Sequence, residues 1–134
     1  NRIKPDVAIV TDVCHDTDSP LYNKKSAGVT VAGKGPVLWY GADNQRNLVD
    51  MIMGVAKKKD IDYQVSTYNG NSGTDTSAFY KSNGGVPSAL ISFPLKYMHT
   101  SVEMVHKDDA NDAIDLIYHF LKQLKAGHDF RYIK

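Results

Sequence analysis

Ser88-Ala89-Leu90-Ile91-Ser92-Phe93-Pro94 is a short, mainly apolar run that leads into Lys96-Tyr97-Met98-His99-Thr100-Ser101-Val102-Glu103. Such a run predicts a strand covered on both faces. A buried strand that opens onto an aromatic, a histidine and two hydroxyls is how α/β enzymes present ligand-binding groups at the carboxyl edge of a sheet. A second run of the same character lies far upstream. Pro5-Asp6-Val7-Ala8-Ile9-Val10-Thr11 enters Asp12 and then Val13-Cys14-His15-Asp16-Thr17-Asp18-Ser19-Pro20. One strand thus leads to a carboxylate and the other to an imidazole, the oxygen and nitrogen donors common at hydrolytic metals.

Working outward, strand and helix patterns alternate. Val37 to Tyr40 and Ala27 to Val31 read as a β-rich pair around the turn Gly33-Lys34-Gly35-Pro36. Asn44 or Asp43 can cap a helix whose apolar residues Leu48, Met51, Ile52, Val55 and Ala56 recur at helical spacing. Lys57-Lys58-Lys59 suits its C-terminal end. A strand near Tyr63 to Thr67, a turn-rich loop from Tyr68 to Asp75 and a short helix around Thr76 to Lys81 follow. Val102 to Val105 reads as extended. The last helix spans about Asp109 to Ala126, with Ile114, Ile117, Phe120 or Leu121, and Leu124 as its apolar stripe. The expected fold class is α/β, a mixed sheet flanked by helices.

The 134 residues suffice for one domain, and 42% hydrophobic with 23% charged residues is ordinary for a globular chain. A net charge of +1 gives no electrostatic reason to expect a nucleic-acid partner, and no apolar run is long enough for a membrane span. The lone Cys14 excludes an internal disulfide and fits a reducing, cytoplasmic setting. Because Asp6 to Thr11 already reads as core strand, the chain is expected to be a piece of a larger protein.

Several residues invite two readings. Asp12 is either a turn carboxylate or, with His15, Asp16 and Asp18 close by, part of an ion site, since clustered carboxylates repel unless a cation or donor compensates. His99 is either structural or a ligand. Gly73-Thr74-Asp75 is either an Asx turn entering a helix or a substrate contact. Glu103, four residues after His99, reads as a support to a site rather than a ligand. Gly33 to Pro36 lacks the spacing of a phosphate loop. A nucleophilic role for Cys14 has no basic neighbour other than His15 to support it, and no G-x-S-x-G elbow is present.

Taken in order, Asp6 to Val13, His15 to Pro20, Gly33-Lys34-Gly35-Pro36, Gly73-Thr74-Asp75 and Tyr97-Met98-His99 resemble the dinuclear-metal glutamyl and deblocking aminopeptidases. That family includes tetrahedral aminopeptidases and relatives described as endoglucanases or cellulases. The resemblance covers essentially the whole chain. It implies a phosphorylase/hydrolase-like catalytic domain interrupted by a small β-rich dimerisation domain, with residues 1–134 forming only the C-terminal part of the catalytic domain. Asp12 matches the aspartate that binds one metal alone, and His99 the histidine that binds the other. An H-x-D histidine, a bridging aspartate, a glutamate ligand and the general-base glutamate would all lie upstream. The catalytic base is therefore expected outside this chain.

The resemblance further implies two divalent ions per full-length subunit, zinc or cobalt, that activate a water against peptide bonds. Gly73, Thr74 and Asp75 would approach substrate, and His15, Asp18 and Glu103 would support the ligands. The expected partners are peptide substrates, the rest of the catalytic domain and copies of the subunit in a large tetrahedral homo-oligomer. The activity expected of the parent is that of a metallo-aminopeptidase, with the isolated chain inactive. A related zinc carboxypeptidase or deacylase, or a non-catalytic α/β module, is the alternative. Lys96 for arginine, Thr100-Ser101 for serine-proline, Thr76 for alanine and Leu21 for glycine depart from the family pattern.

Overall fold

Strand β1, Ala8–His15, and strand β4, Ser88–Lys96, lie parallel and in continuous register from Ala8↔Ser88 to His15↔Leu95. The computed structural model describes residues 3–20 and 22–132, so Leu21 lies outside the described residues. β4 is buried along nearly its whole length, as its apolar sequence requires. On its other side it pairs antiparallel with β2, Val37–Tyr40, through Leu38↔Ile91 and Val37↔Ser92. β2 pairs in parallel with β3, Gln64–Thr67, giving the order β1-β4-β2-β3. The two-residue β5, Met104–Val105, adds to the end of β4 antiparallel. The sheet is mixed, as expected.

Helices α2, Arg46–Lys59, and α4, Lys107–Gln123, pack together against Leu38, Ala89 and Ile91. The short α1, Lys24–Ala27, is capped by Asn23, whose side chain accepts from Lys25 N–H. Helix α3, Asp75–Lys81, packs on β1 and β4. Burying α2 through Leu48, Val49, Ile52, Val55 and Ala56 supplies much of the core, and full burial of each large aliphatic contributes roughly 1.5–3 kcal/mol.

Four expectations are corrected. β1 runs to His15, so Asp12 lies within the strand rather than after it. The Gly33–Pro36 turn does not close a hairpin; residues 28–32 form no strand, and the turn is held by α4. Buried Asp109, in the first turn of α4, accepts from Gly33 N–H and Gly35 N–H, each at 2.8 Å. A Cβ on Gly35, at φ +84°, would overlap the backbone of Asp62, so this approach needs glycine. The α2 N-cap is Gln45, while Asn44 accepts from Leu90 N–H at 2.7 Å and Asp43 serves elsewhere. Finally, α4 buries Ala113, Leu116 and Phe120, leaving Ile114 and Leu121 exposed.

Asp43 secures the loop between β3 and α3. Its carboxylate accepts from Tyr68 OH, Ser77 Oγ, Ser72 N–H at 3.0 Å and Ser72 Oγ at 2.8 Å. Burial alone would raise this carboxyl; hydrogen bonds from Ser77, Tyr68 and Ser72 outweigh that and bring it down to about 2. A carboxyl lowered on folding stabilises the fold fully above its unfolded value, near 4, and loses that contribution as pH falls to about 2. Acid titration of unfolding should therefore show a stability loss on the order of 2 kcal/mol over that interval that is absent in Asp43→Asn.

Thr76 is fully buried in α3, and its Oγ1 has no hydrogen-bond partner among the described residues. A buried hydroxyl left unpaired is costly, and alanine is the better helix former. Thr76→Ala should raise the denaturation midpoint by the equivalent of about 1 kcal/mol. Chemical denaturation checks this, and a destabilised variant would show that the Thr76 methyl packs better than the orphaned hydroxyl costs.

Candidate functional site

The carboxyl ends of β1 and β4 lie side by side, because their pairing is parallel and ends at His15↔Leu95. Asp12 is in register with Ser92. Its Oδ1 accepts from Val13 N–H at 2.7 Å, and among the described residues Oδ2 has no hydrogen-bond partner. His99 lies three residues beyond β4, in a turn closed by Thr100 N–H donating to Tyr97 C=O at 3.1 Å. Tyr97 and His99 both adopt positive φ, 56° and 66°, which curls the segment sharply. Glu103 accepts from His99 N–H, so this carboxylate secures the backbone of the histidine turn.

The ring neighbour of His99 is His15, with centroids 6.1 Å apart, and His15 also packs on Tyr22 at 4.8 Å. Burial, then His99, pushes the His15 imidazole below its ordinary value, leaving it neutral at pH 7. Asp18 sits at the surface with Lys24 Nζ donating to it at 2.6 Å. Asp16, fully buried, accepts from Asp18 N–H at 2.8 Å and lies 3.6 Å from Lys96 Nζ. Lysines thus provide the compensating cations for the Asp16–Asp18 cluster. Burial, reinforced by Asp109, Asp16 and Asp12, pushes the Cys14 thiol up to about 12, so it is not a nucleophile at neutral pH.

A cavity of about 260 Å³ opens between these strand ends and the β3–α3 loop. Its walls include Val13, His15, Trp39, Tyr68, Thr74 and Ser92. Trp39 Nε1 donates to Ser92 Oγ at 3.0 Å, fixing the indole across the floor. Within Gly73-Thr74-Asp75, Thr74 reaches this cavity, but its hydroxyl also caps α3 by accepting from Thr76 N–H at 3.3 Å. Asp75 is exposed at the start of α3. Tyr22, Trp39 and Tyr68 went unnoticed as site residues in the sequence; only their aromatic character near turns marked them.

The residues present fit part of a metal centre. Asp12 Oδ2 and the His99 ring are free of protein hydrogen bonds among the described residues, and carboxylate with imidazole suits zinc-like ions. No group of three His, Cys, Asp or Glu side chains able to hold a metal occurs among the described residues. Asp12 and His99 could serve as two donors of a centre that other residues complete.

The chain matches known proteins along most of its length. A lysyl aminopeptidase from Pyrococcus furiosus is 35% identical over 123 residues, 92% of this chain and 35% of that protein. The solved structure of a TET aminopeptidase from a marine-sediment Thaumarchaeota archaeon superposes with a TM-score of 0.81 at 31% identity, covering 91% of this chain and 34% of that one. The Pyrococcus horikoshii TET1 peptidase, described as assembling into a tetrahedron or a large octahedral shell, gives 0.61 at 31% identity, covering 84% and 31%. The chain therefore spans about a third of the length of such relatives. The family profile for M42 glutamyl aminopeptidases matches residues 1–116, and the chain belongs to that family.

Proposed function

We propose that this chain is the C-terminal portion of the catalytic domain of a metal-dependent aminopeptidase, which removes residues from the amino termini of peptides. The observation that supports this reading is the parallel β1–β4 pair, which carries Asp12 within β1 and leads into the His99 turn beyond the carboxyl end of β4, in a chain of the M42 family. Asp12 contributes a carboxylate oxygen and His99 a ring nitrogen to a centre of two divalent ions, zinc or cobalt. When bound, those ions supply Lewis acidity toward the peptide carbonyl and a more acidic water. The remaining ligands and the general base come from polypeptide outside residues 1–134.

Within the chain, each assigned residue has a mechanical task. Glu103 holds the backbone of His99 through its N–H, which fixes the turn from which the imidazole projects. Neutral His15 packs against the His99 ring and restricts its rotation. Asp18 anchors the loop after β1 through Lys24. The 260 Å³ cavity, walled by Trp39, Tyr68 and Thr74, receives part of the peptide and excludes water from it. Gly73 and Asp75 flank that wall, where an extended substrate would cross the loop.

The active protein is a homo-oligomer of such subunits, a reading supported by the shell described for the Pyrococcus horikoshii relative. No helix among the described residues is long and apolar enough to cross a membrane. We place the enzyme in the cytoplasm, in keeping with its single unpaired cysteine.

In the full-length enzyme, His99→Ala should lower turnover of an aminoacyl anilide by about three orders of magnitude, because catalytic groups acting as a unit fail together. Bound metal should fall from two ions per subunit toward one. His119→Ala is the control, since His106 caps α4 by accepting from Asp108 N–H and is unsuitable. A His99→Ala protein with full turnover and unchanged metal content contradicts the assignment.

A further inference from the structure

Ser92 places a hydroxyl in the middle of the mainly apolar β4, with only 1% of its surface exposed. Ala89 and Ile91 turn toward the core, so Ser92, like Leu90, faces the other way and lines the peptide cavity. The parallel register sets Ser92 beside Asp12 on one rung of the ladder, with both side chains on the same face. On the other flank β2 sets Val37 beside Ser92, and Trp39, two residues on, returns to that face. Trp39, Ser92 and Asp12 thus form a polar row across β2, β4 and β1.

The row is only half satisfied. An indole nitrogen can only donate, so Ser92 Oγ accepts from Trp39 Nε1, at 3.0 Å, and its own proton is left for another acceptor. Among the described residues no acceptor takes it. Asp12 presents the complementary deficit: Oδ1 accepts from Val13 N–H at 2.7 Å, and Oδ2 has no donor among the described residues. A buried donor without an acceptor calls for a reason. Neighbouring strands lie about 4.8 Å apart, so side-chain rotation alone brings a serine hydroxyl within reach of a carboxylate on the same rung.

We infer that Ser92 is a positioning residue for Asp12: its hydroxyl, oriented by the Trp39 indole, donates to the Asp12 carboxylate and holds that group in place for a metal ion. The inference deepens the aminopeptidase reading and rests on it for the role of Asp12 as a ligand. Carboxylates that bind metals depend on outer donors to fix their orientation. Val13 N–H restrains the carboxylate from within β1, and Ser92 restrains it from the adjoining strand. Trp39 also walls the peptide cavity, so the row joins that wall to the ligand.

The test uses the full-length enzyme, stripped by a chelator and titrated with zinc in a calorimeter, with Asp12→Asn marking which of the two ions depends on Asp12. Ser92→Ala should weaken that same ion about 10- to 100-fold and leave the other within about threefold. Its kcat for a leucyl anilide should fall while KM stays within about threefold of wild type. Trp39→Phe keeps an aromatic ring and the serine but removes the N–H that orients the hydroxyl. It should weaken the Asp12-dependent ion about 3- to 10-fold, the equivalent of one neutral hydrogen bond. Ser92→Thr keeps the hydroxyl and suits a strand, and should hold zinc within about threefold of wild type.

Equal weakening of both ions in Ser92→Ala would make Ser92 a purely structural residue and overturn the inference. A raised KM with zinc affinity intact would make it a substrate contact and overturn it as well. If Ser92→Ala does not fold, Trp39→Phe decides, and zinc bound as tightly as in wild type overturns the inference. If Asp12→Asn loses one ion and Ser92→Ala loses none, the inference alone falls. If Asp12→Asn holds both ions as tightly as wild type, Asp12 is no ligand, and the metal reading falls together with the inference.

Discussion

The parallel ladder between β1 and β4 is the constraint on which the remaining structure depends. Eight register pairs lock the two strands together, and Ala8 N–H to Pro87 C=O and Asp16 N–H to Leu95 C=O extend the bonding past both ends. A one-residue slip would turn every β1 side chain to the opposite face, exposing Ala8 and Val10 and moving Asp12 away from the level of Ser92. The long separation of the two strands in sequence makes this pairing costly to form. In return it carries two distant segments, the acidic loop after β1 and the histidine turn after β4, to one edge of the sheet.

Around that ladder, buried carboxylates act as clasps. Asp109 holds the Gly33–Gly35 loop onto the first turn of α4, where a negative charge also suits the helix dipole. Leaving those two N–H groups without an acceptor would cost roughly 1–3 kcal/mol each, so the clasp outweighs a typical surface ion pair such as Lys24–Asp18. Asp43 does the same for the loop that carries Thr74, with donors from Tyr68, Ser72 and Ser77. Asp16 differs from both, because among the described residues one of its oxygens accepts no hydrogen bond and is met only by Lys96 Nζ at 3.6 Å.

Much of the fold was legible in the sequence, for physical reasons that also explain the failures. The apolar runs at Val7–Val10 and Ser88–Phe93 marked buried strands, and the spacing of Leu48, Ile52, Val55 and Ala56 marked α2. Strand length was misjudged at Asp12 because a polar side chain looks like an end, whereas backbone hydrogen bonds decide where a ladder stops. The Gly33–Pro36 signal located a turn but could not reveal that Asp109, far along the chain, holds it. The stripe of α4 was displaced because small Ala113 faces the core while large Ile114 faces outward. Asp12 and His99 stood out as a carboxylate and an imidazole beside strand-like runs, and the family resemblance alone gave them ligand roles. The approach of Lys96 to Asp16 joins residues too distant in sequence for any local pattern to show it.

The account centres on Asp12 and His99 belonging to one dinuclear centre at the β1–β4 edge. Anomalous diffraction from crystals of the full-length protein grown with zinc or cobalt tests it most directly. The account predicts two ions, one about 2.0–2.2 Å from an Asp12 carboxylate oxygen and the other about 2.0–2.1 Å from a His99 ring nitrogen, separated by roughly 3.5–4 Å. Ions bound elsewhere, with the Asp12 carboxylate and the His99 ring both uncoordinated, would contradict it.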